Sequence, residues 1–262
     1  MHPNLFQNLL WGLGTGLKVL VCALAFYRHL HRRLPFFTLY AALLPAEVAV
    51  VWGAYHTWGY TSRAAWYAYW CALAVILLAR GLVIAELCWV SLRKYPGLWS
   101  FTRRVLILVA LVLLSSAAFA AARSTYRLVA FVLTAERGLE LASLVILISL
   151  FAISVRYRVW LEPMDRNIVL GFALYSTFQM LNSTFMTPRL APYFPWWESV
   201  RVGCFDVALV LWLLPLLKPL PVPAPAPALI SEGTTAQLLR RLLGKMRELA
   251  AELKRVGKAI RK

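Results

Sequence analysis

The sequence predicts an all-α polytopic membrane protein: seven transmembrane helices, N-terminus outside and C-terminus inside, followed by a C-terminal cytoplasmic amphipathic helix. Three observations predict it. First, 61% of the 262 residues are hydrophobic and only 15% are charged, whereas a soluble domain is about half apolar and about a quarter charged; the mean hydropathy is +0.67. Second, apolar runs long enough to cross a bilayer, which takes about 20 residues, recur seven times. Third, Lys and Arg alternate between rich and poor loops.

The runs cover roughly 5–27, 34–56, 65–91, 105–122, 128–155, 167–187 and 199–218. Lipid offers no hydrogen bonds to the backbone, so runs of this length must be helices. The loops between them are short and leave no room for a folded soluble domain. The first run lacks a basic segment before it; its basic cluster, Arg28 to Arg33, follows it. A signal peptide is therefore disfavoured, although Ala23-Leu24-Ala25 imitates a cleavage site. In the first run Gly12 and Gly16 form a GxxxG with Gly14 between them. Small residues let helix backbones approach, and packing inside the bundle is favoured over dimerisation. Ser115 to Ala118 and Ala120 to Ala122 give the fourth span the same character.

Orientation follows from the loops. Arg28, Arg32 and Arg33, then Arg93, Lys94, Arg103 and Arg104, then Arg156, Arg158 and Arg166 lie on one side; Arg63, Arg123, Arg127, Arg189 and Arg201 lie on the other. The richer side is cytoplasmic, which puts the tail inside.

Residues 1–218 thus form the transmembrane domain, 219–233 a Pro/Ala-rich spacer and 234–262 a basic helix. The spacer, PLPVPAPAPAL, favours a semi-rigid extended chain. Thr234 to Gln237 has the form of a capping box. Leu239, Leu242, Met246, Leu249, Leu253, Val256 and Ile260 then recur at alternating intervals of three and four, a heptad seam. Leu238 and Leu243 widen that face, and Gly244 and Gly257 weaken a long coiled coil. From Thr234 the tail carries nine Lys/Arg against two Glu, a large share of the formal net charge of +17. The lipid bilayer and its anionic headgroups are the partners this charge favours. Self-association through the seam, or docking on a cytoplasmic protein, stays open. No nucleic-acid partner is expected, because the apolar content is too high.

Cys22, Cys71, Cys88 and Cys204 are far apart, each within an apolar run, and read as buried hydrophobes. There is no HExxH, GxSxG or phosphate-binding loop. His29 and His31 lack nearby carboxylates or thiols and read as part of a solvated basic loop. No metal or cofactor is expected. No lysine lies inside the last span to hold a retinal, since Lys218 is at its end.

Charged residues within spans are costly, at roughly 2.5–3.5 kcal/mol each near the centre. Lys18, Glu47, Arg80, Glu136, Arg137, Glu140 and Asp206 are therefore read as one buried polar cluster. A rise of about 1.5 Å per residue puts Lys18, Glu47, Arg80 and Glu140 at similar depth. Glu136 and Glu140, in the stretch LTAERGLEL, share a helix face and need cations, which Arg80 and Lys18 can supply. Arg137 points about 100° away, and Asp206 is its first candidate partner. Gln179 and Asn182 add polarity in the sixth span. Glu86 lies low in the third span, within reach of Arg93 or Lys94. A structural network, a polar binding cavity and a proton or ion route all fit these residues.

Aromatic residues crowd the outer side. Trp66, Tyr67, Tyr69, Trp70, Trp196 and Trp197 form either an interfacial belt or an outward-facing ligand pocket. Pro188, Pro192 and Pro195 stiffen the last outer loop under either reading.

Several stretches carry a family likeness: Leu34-Pro35-Phe36-Phe37 with Tyr40, Tyr67-Ala68-Tyr69-Trp70, Leu133-Thr134-Ala135-Glu136-Arg137, Arg156-Tyr157 and Gly171-Phe172. Over about the first 218 residues the chain resembles a family of uncharacterised bacterial seven-transmembrane-helix integral membrane proteins. The resemblance implies the architecture and a bacterial cytoplasmic (inner) membrane, and no reaction.

Three functions are consistent with these residues. One is a sensory, signalling or scaffold module whose polar cluster receives a stimulus and whose tail passes it on. The second is an ion-coupled transporter using the midspan carboxylates, although seven spans do not divide into equal repeats and Pro45 and Pro215 are the only prolines deep in a span. The third is an intramembrane enzyme acting on lipid through Glu136, Glu140 or Asp206. Enzymatic activity stays open; the lack of a nucleophile–base or metal signature weighs against it.

Overall fold

The computed structural model describes the backbone of residues 5–157, 162–185 and 194–217 and the side chains of 9–153, 162–182 and 199–217. The spacer, the tail and its heptad seam, and the side chains of Trp196 and Trp197, lie outside the described residues. So do Pro188 and Pro192.

Seven α-helices account for the described chain: α1 (Leu5–Tyr27), α2 (Pro35–Trp58), α3 (Arg63–Leu92), α4 (Pro96–Arg123), α5 (Arg127–Tyr157), α6 (Pro163–Phe185) and α7 (Phe194–Leu217). No strand occurs among the described residues. Five helices contain segments long and apolar enough to cross a bilayer: Leu9–Tyr27, Pro35–Trp58, Arg63–Leu92, Pro96–Arg123 and Ser199–Leu217. The chain is therefore a helical membrane protein. Helix α5 carries Glu136, Arg137 and Glu140 in its first half, and α6 is more polar, with Asp165, Arg166 and Asn167 in its first turns and Gln179 and Asn182 further on.

Local chemistry sets the helix ends. Pro35 and Pro96 stand in the first turns of α2 and α4, where no N–H is needed. Ser62 caps α3, its hydroxyl accepting from the Ala65 N–H at 3.1 Å. Between α1 and α2 the chain reverses in a short 3-10 turn, Leu30–Arg32, entered through His29 in the left-handed region at φ 53°. Leu34, before α2, offers no capping side chain. The cap arrives from elsewhere: Glu86 of α3 accepts from the backbone N–H groups of Phe36 (3.0 Å) and Phe37 (2.8 Å). A carboxylate here satisfies two free donors and meets the positive end of the helix dipole. Glu86 thus caps α2, in place of the expected pairing with Arg93 or Lys94.

Contacts run α1–α2, α2–α3, α3–α5, α5–α6, α6–α7 and α7–α1, closing a ring of six helices. Helix α4 sits outside it, against α5 and α3. Its one buried residue is Ala117, and Ile107, Leu108, Leu111, Val112 and Phe119 are exposed, as suits a helix facing lipid. Gly138 makes the α4–α5 contact close: a Cβ there would collide with the Leu113 side chain.

The apolar core fills mainly one end of the ring. Val21 and Ala25, Leu34 to Leu44, Val83 to Leu92, Leu147 and Leu150, Met164 to Phe172, and Ala208 to Leu216 supply most of it. Alternating helix directions bring the second halves of α1, α3, α5 and α7 to the first halves of α2 and α6. Phe37, Tyr40, Phe172 and Trp212 lock edge-on and tilted, with centroids 4.6–6.5 Å apart. Trp212 Nε1 donates to the Ile168 carbonyl at 3.2 Å. Gly171 leaves room for that indole, since a Cβ would strike Trp212 and lie 3.1 Å from the Ala208 carbonyl.

Candidate functional site

The other part of the ring interior is polar. Arg80 of α3 and Glu140 of α5 form a buried ion pair. Arg80 also reaches Tyr175 of α6, with 3.4 Å between guanidinium and hydroxyl and 4.7 Å to the ring centroid. A hydrogen bond and a cation–π contact thus hold the guanidinium in a medium where it would otherwise be costly. The stretch LTAERGLEL orients itself accordingly. Glu136 and Glu140, one turn apart, both turn inward: Glu136 accepts from Gln179 Nε2 at 3.2 Å. Gly138, on the opposite face, meets α4.

Arg137 does not belong to the interior. It lies about 100° from Glu136 on the helix and is exposed. The expected Arg137–Asp206 pairing does not occur. Asp206 instead faces Gly14 of α1, where a Cβ would come within 2.6 Å of Oδ1. Gly14 is therefore the glycine that lets α1 approach α7. A Cβ at Gly12 or Gly16, the GxxxG pair, would meet nothing within 4 Å. Their face is not a packing face inside the described bundle.

Lys18 links the two sides of the interior. It interacts electrostatically with both Glu47 and Asp206, and Glu47 interacts in turn with Arg80. Lys18 Nζ lies 5.6 Å from the Phe205 ring centroid, and Phe205 packs on Tyr175 at 4.9 Å. Six expected members of the cluster, Lys18, Glu47, Arg80, Glu136, Glu140 and Asp206, therefore occupy one connected neighbourhood.

Two residues join it that sequence reasoning had not placed there. Tyr175 is one turn from Gln179 on α6, an i, i+4 relation visible in the sequence, but its partner Arg80 is not. Arg201, expected in an outer loop, lies in α7, is half-buried and acts on Tyr69 and Tyr175.

The aromatics expected on the outer side divide. Trp66 packs on Tyr67 (4.9 Å) and Trp70 (6.3 Å), and Trp70 on Tyr69 (5.3 Å). These contacts are all within α3. Of the four, only Tyr69 interacts with interior charges, those of Glu136, Glu47 and Arg201.

At the apolar end, the basic loop is structural as well as basic. Arg33 pairs with Glu162 and, at 2.7 Å, with the buried Asp165 in the first turn of α6. Arg28 lies 3.5 Å from the Leu217 carbonyl at the end of α7, where a cation suits the dipole. His29 and His31 contact each other edge-on at 5.8 Å. Among the described residues no group of three or more His, Cys, Asp or Glu is placed to hold a metal ion.

No protein-family model, curated protein or solved structure matches the chain.

Proposed function

We propose that the protein is a seven-span sensory or signalling module of a bacterial cytoplasmic membrane, N-terminus outside and tail inside. Its polar interior receives a ligand, and its tail transmits occupancy to a partner. The observation that carries this reading is the convergence of charged side chains from five helices, with Tyr175 and Gln179 of α6, on one neighbourhood bounded at one end by the Phe37–Tyr40–Phe172–Trp212 cluster. Charges placed within apolar helices are costly, and a ligand that pairs with them offsets that cost in one conformation more than another. The amphipathic tail, tethered by a proline-rich spacer, provides an output that binds either anionic headgroups or a cytoplasmic protein.

The test is capture of partners from native-like membranes by the full chain and by a chain ended at Leu229. A partner retained by the full chain alone, lost in Leu249→Asp/Leu253→Asp and kept when the tail lysines become Gln, supports signalling. A tail that binds only anionic vesicles removes the output and with it this reading.

One observation favours a second reading, an ion-coupled carrier. Carboxylate oxygens of Glu140 and Asp206 are buried without a hydrogen-bond partner among the described residues, as a transported cation or proton requires. Flux in proteoliposomes that disappears in Glu47→Gln, with folding intact, supports the carrier. A lipid-acting enzyme has less support, since among the described residues no nucleophile–base pair joins these carboxylates.

A further inference from the structure

We infer that the start of α4 binds an anionic phospholipid, its phosphate held by Arg103 and Arg104 and its acyl chains laid along Ile107, Leu108 and Leu111. This site is separate from the polar interior and from the tail, and it does not depend on the signalling reading.

The charge at this place is uncompensated. No Asp or Glu occurs between Glu86 and Glu136. Within that stretch Arg93 and Lys94 connect α3 to α4, and Arg103 and Arg104 lie on α4 itself. All four side chains are exposed, and none forms an ion pair among the described residues. Arg93 stands over the Trp89 ring at 5.2 Å and acts on Asp165, which Arg33 already holds. Glu86 of α3 is spent on the start of α2. Arg103 and Arg104 are adjacent and repel each other, and α4 carries no acid to offset this. A phosphodiester does offset it, because a guanidinium presents paired N–H donors to phosphate oxygens.

The depth suits a headgroup. The nine residues from Pro96 to Arg104 extend α4 by about 13 Å before its apolar run begins at Val105. Leu98 and Trp99 pack against the apolar core and hold these turns in place. The two arginines therefore stand at the border between polar and apolar surface, where headgroups meet acyl chains.

The surface beyond them suits the chains. Arg104, Leu108 and Leu111 stand at i, i+4 and i+7, and Arg103 and Ile107 at i and i+4, so each arginine heads an apolar row. Ile107, Leu108 and Leu111 are 51%, 62% and 60% exposed, on the helix that lies outside the ring. A soluble anion would use the arginines alone; a phospholipid uses the arginines and the rows together. The opposite end of α4 has one arginine, Arg123, which stands over Phe119 at 4.1 Å and serves as a control.

The experiment uses the full chain in nonionic detergent. Native mass spectrometry counts the lipids retained as phosphatidylglycerol or phosphatidylcholine is titrated in, and the thermal midpoint before titration reports folding. The expected result is retention of phosphatidylglycerol at concentrations where phosphatidylcholine is not retained. Arg103→Gln/Arg104→Gln should weaken this retention about tenfold or more, and Arg123→Gln less than about twofold. Leu108→Gln/Leu111→Gln should weaken it as well, whereas Arg103→Lys/Arg104→Lys should keep part of it. Equal retention of the two lipids overturns the inference. So does retention unchanged in the folded Arg103→Gln/Arg104→Gln or Leu108→Gln/Leu111→Gln variant. Loss confined to a variant with the tail lysines changed to Gln assigns the lipid to the tail and overturns it too. Displacement of phosphatidylglycerol by inorganic phosphate, but not by chloride of equal ionic strength, marks a soluble-anion site and discards the lipid.

Discussion

Arg80 of α3 and Glu140 of α5 are paired at 3% and 2% exposure, and Tyr175 of α6 contacts the same guanidinium. A buried pair adds little net stability, but removing one partner strands the other. Arg80→Ala or Glu140→Ala should each destabilise by roughly 3–5 kcal/mol. Arg80→Met/Glu140→Met should cost much less than the sum of the two. Reversible unfolding in mixed micelles measures all three; additive single effects would show that the two residues are not coupled.

Glu86 holds the start of α2 through the N–H groups of Phe36 and Phe37. Glu86→Ala should cost about 1–2 kcal/mol, as loss of an N-cap does. Amide exchange should rise first at Phe36 and Phe37, and Glu86→Gln should keep part of the protection. Exchange that rises evenly along α2 would contradict a local cap.

Gly14 and its neighbours Gly12 and Gly16 offer an internal comparison. Gly14→Ala drives a methyl group into Asp206 and should destabilise by about 1–3 kcal/mol. Gly12→Ala and Gly16→Ala meet open space and should leave the folded bundle unchanged or slightly stabilised. The melting midpoints of the three variants rank them.

Arg33 and Arg32 are adjacent in one basic loop, but only Arg33 meets the buried Asp165. Arg33→Gln should cost roughly 1.5–3 kcal/mol, the range for a hydrogen bond to a charged group. Arg32→Gln should cost less than half as much. Equal losses, measured by thermal unfolding, would reduce the Arg33 pair to a surface contact.

How far the sequence can be read is clearest at LTAERGLEL. The inward turn of Glu136 and Glu140 together, and the divergence of Arg137, follow from helical spacing alone. That Arg80 and Lys18 could both serve as cations for Glu140 was legible as shared depth, but that Arg80 is the one paired with it was not. That Gln179 takes Glu136, that Asp206 faces Gly14 instead of Arg137, and that Arg201 enters the interior were not. Depth comes from counting residues along one helix, whereas pairing depends on how two helices are rotated about their axes.

The same distinction separates the two levels of the whole molecule. The sequence by itself determined an all-helical membrane protein and the approximate extent of each helix, from α1 at Leu5–Tyr27 to α7 at Phe194–Leu217. Those properties are local: a long apolar segment in lipid must satisfy its backbone internally, and it does so within itself. Tertiary structure alone decided that α4 stands outside the ring, that Glu86 of α3 caps α2, and that polar residues of six helices share one interior. These depend on which faces meet, and glycines such as Gly14, Gly138 and Gly171 show their role only when the neighbouring side chain is in place.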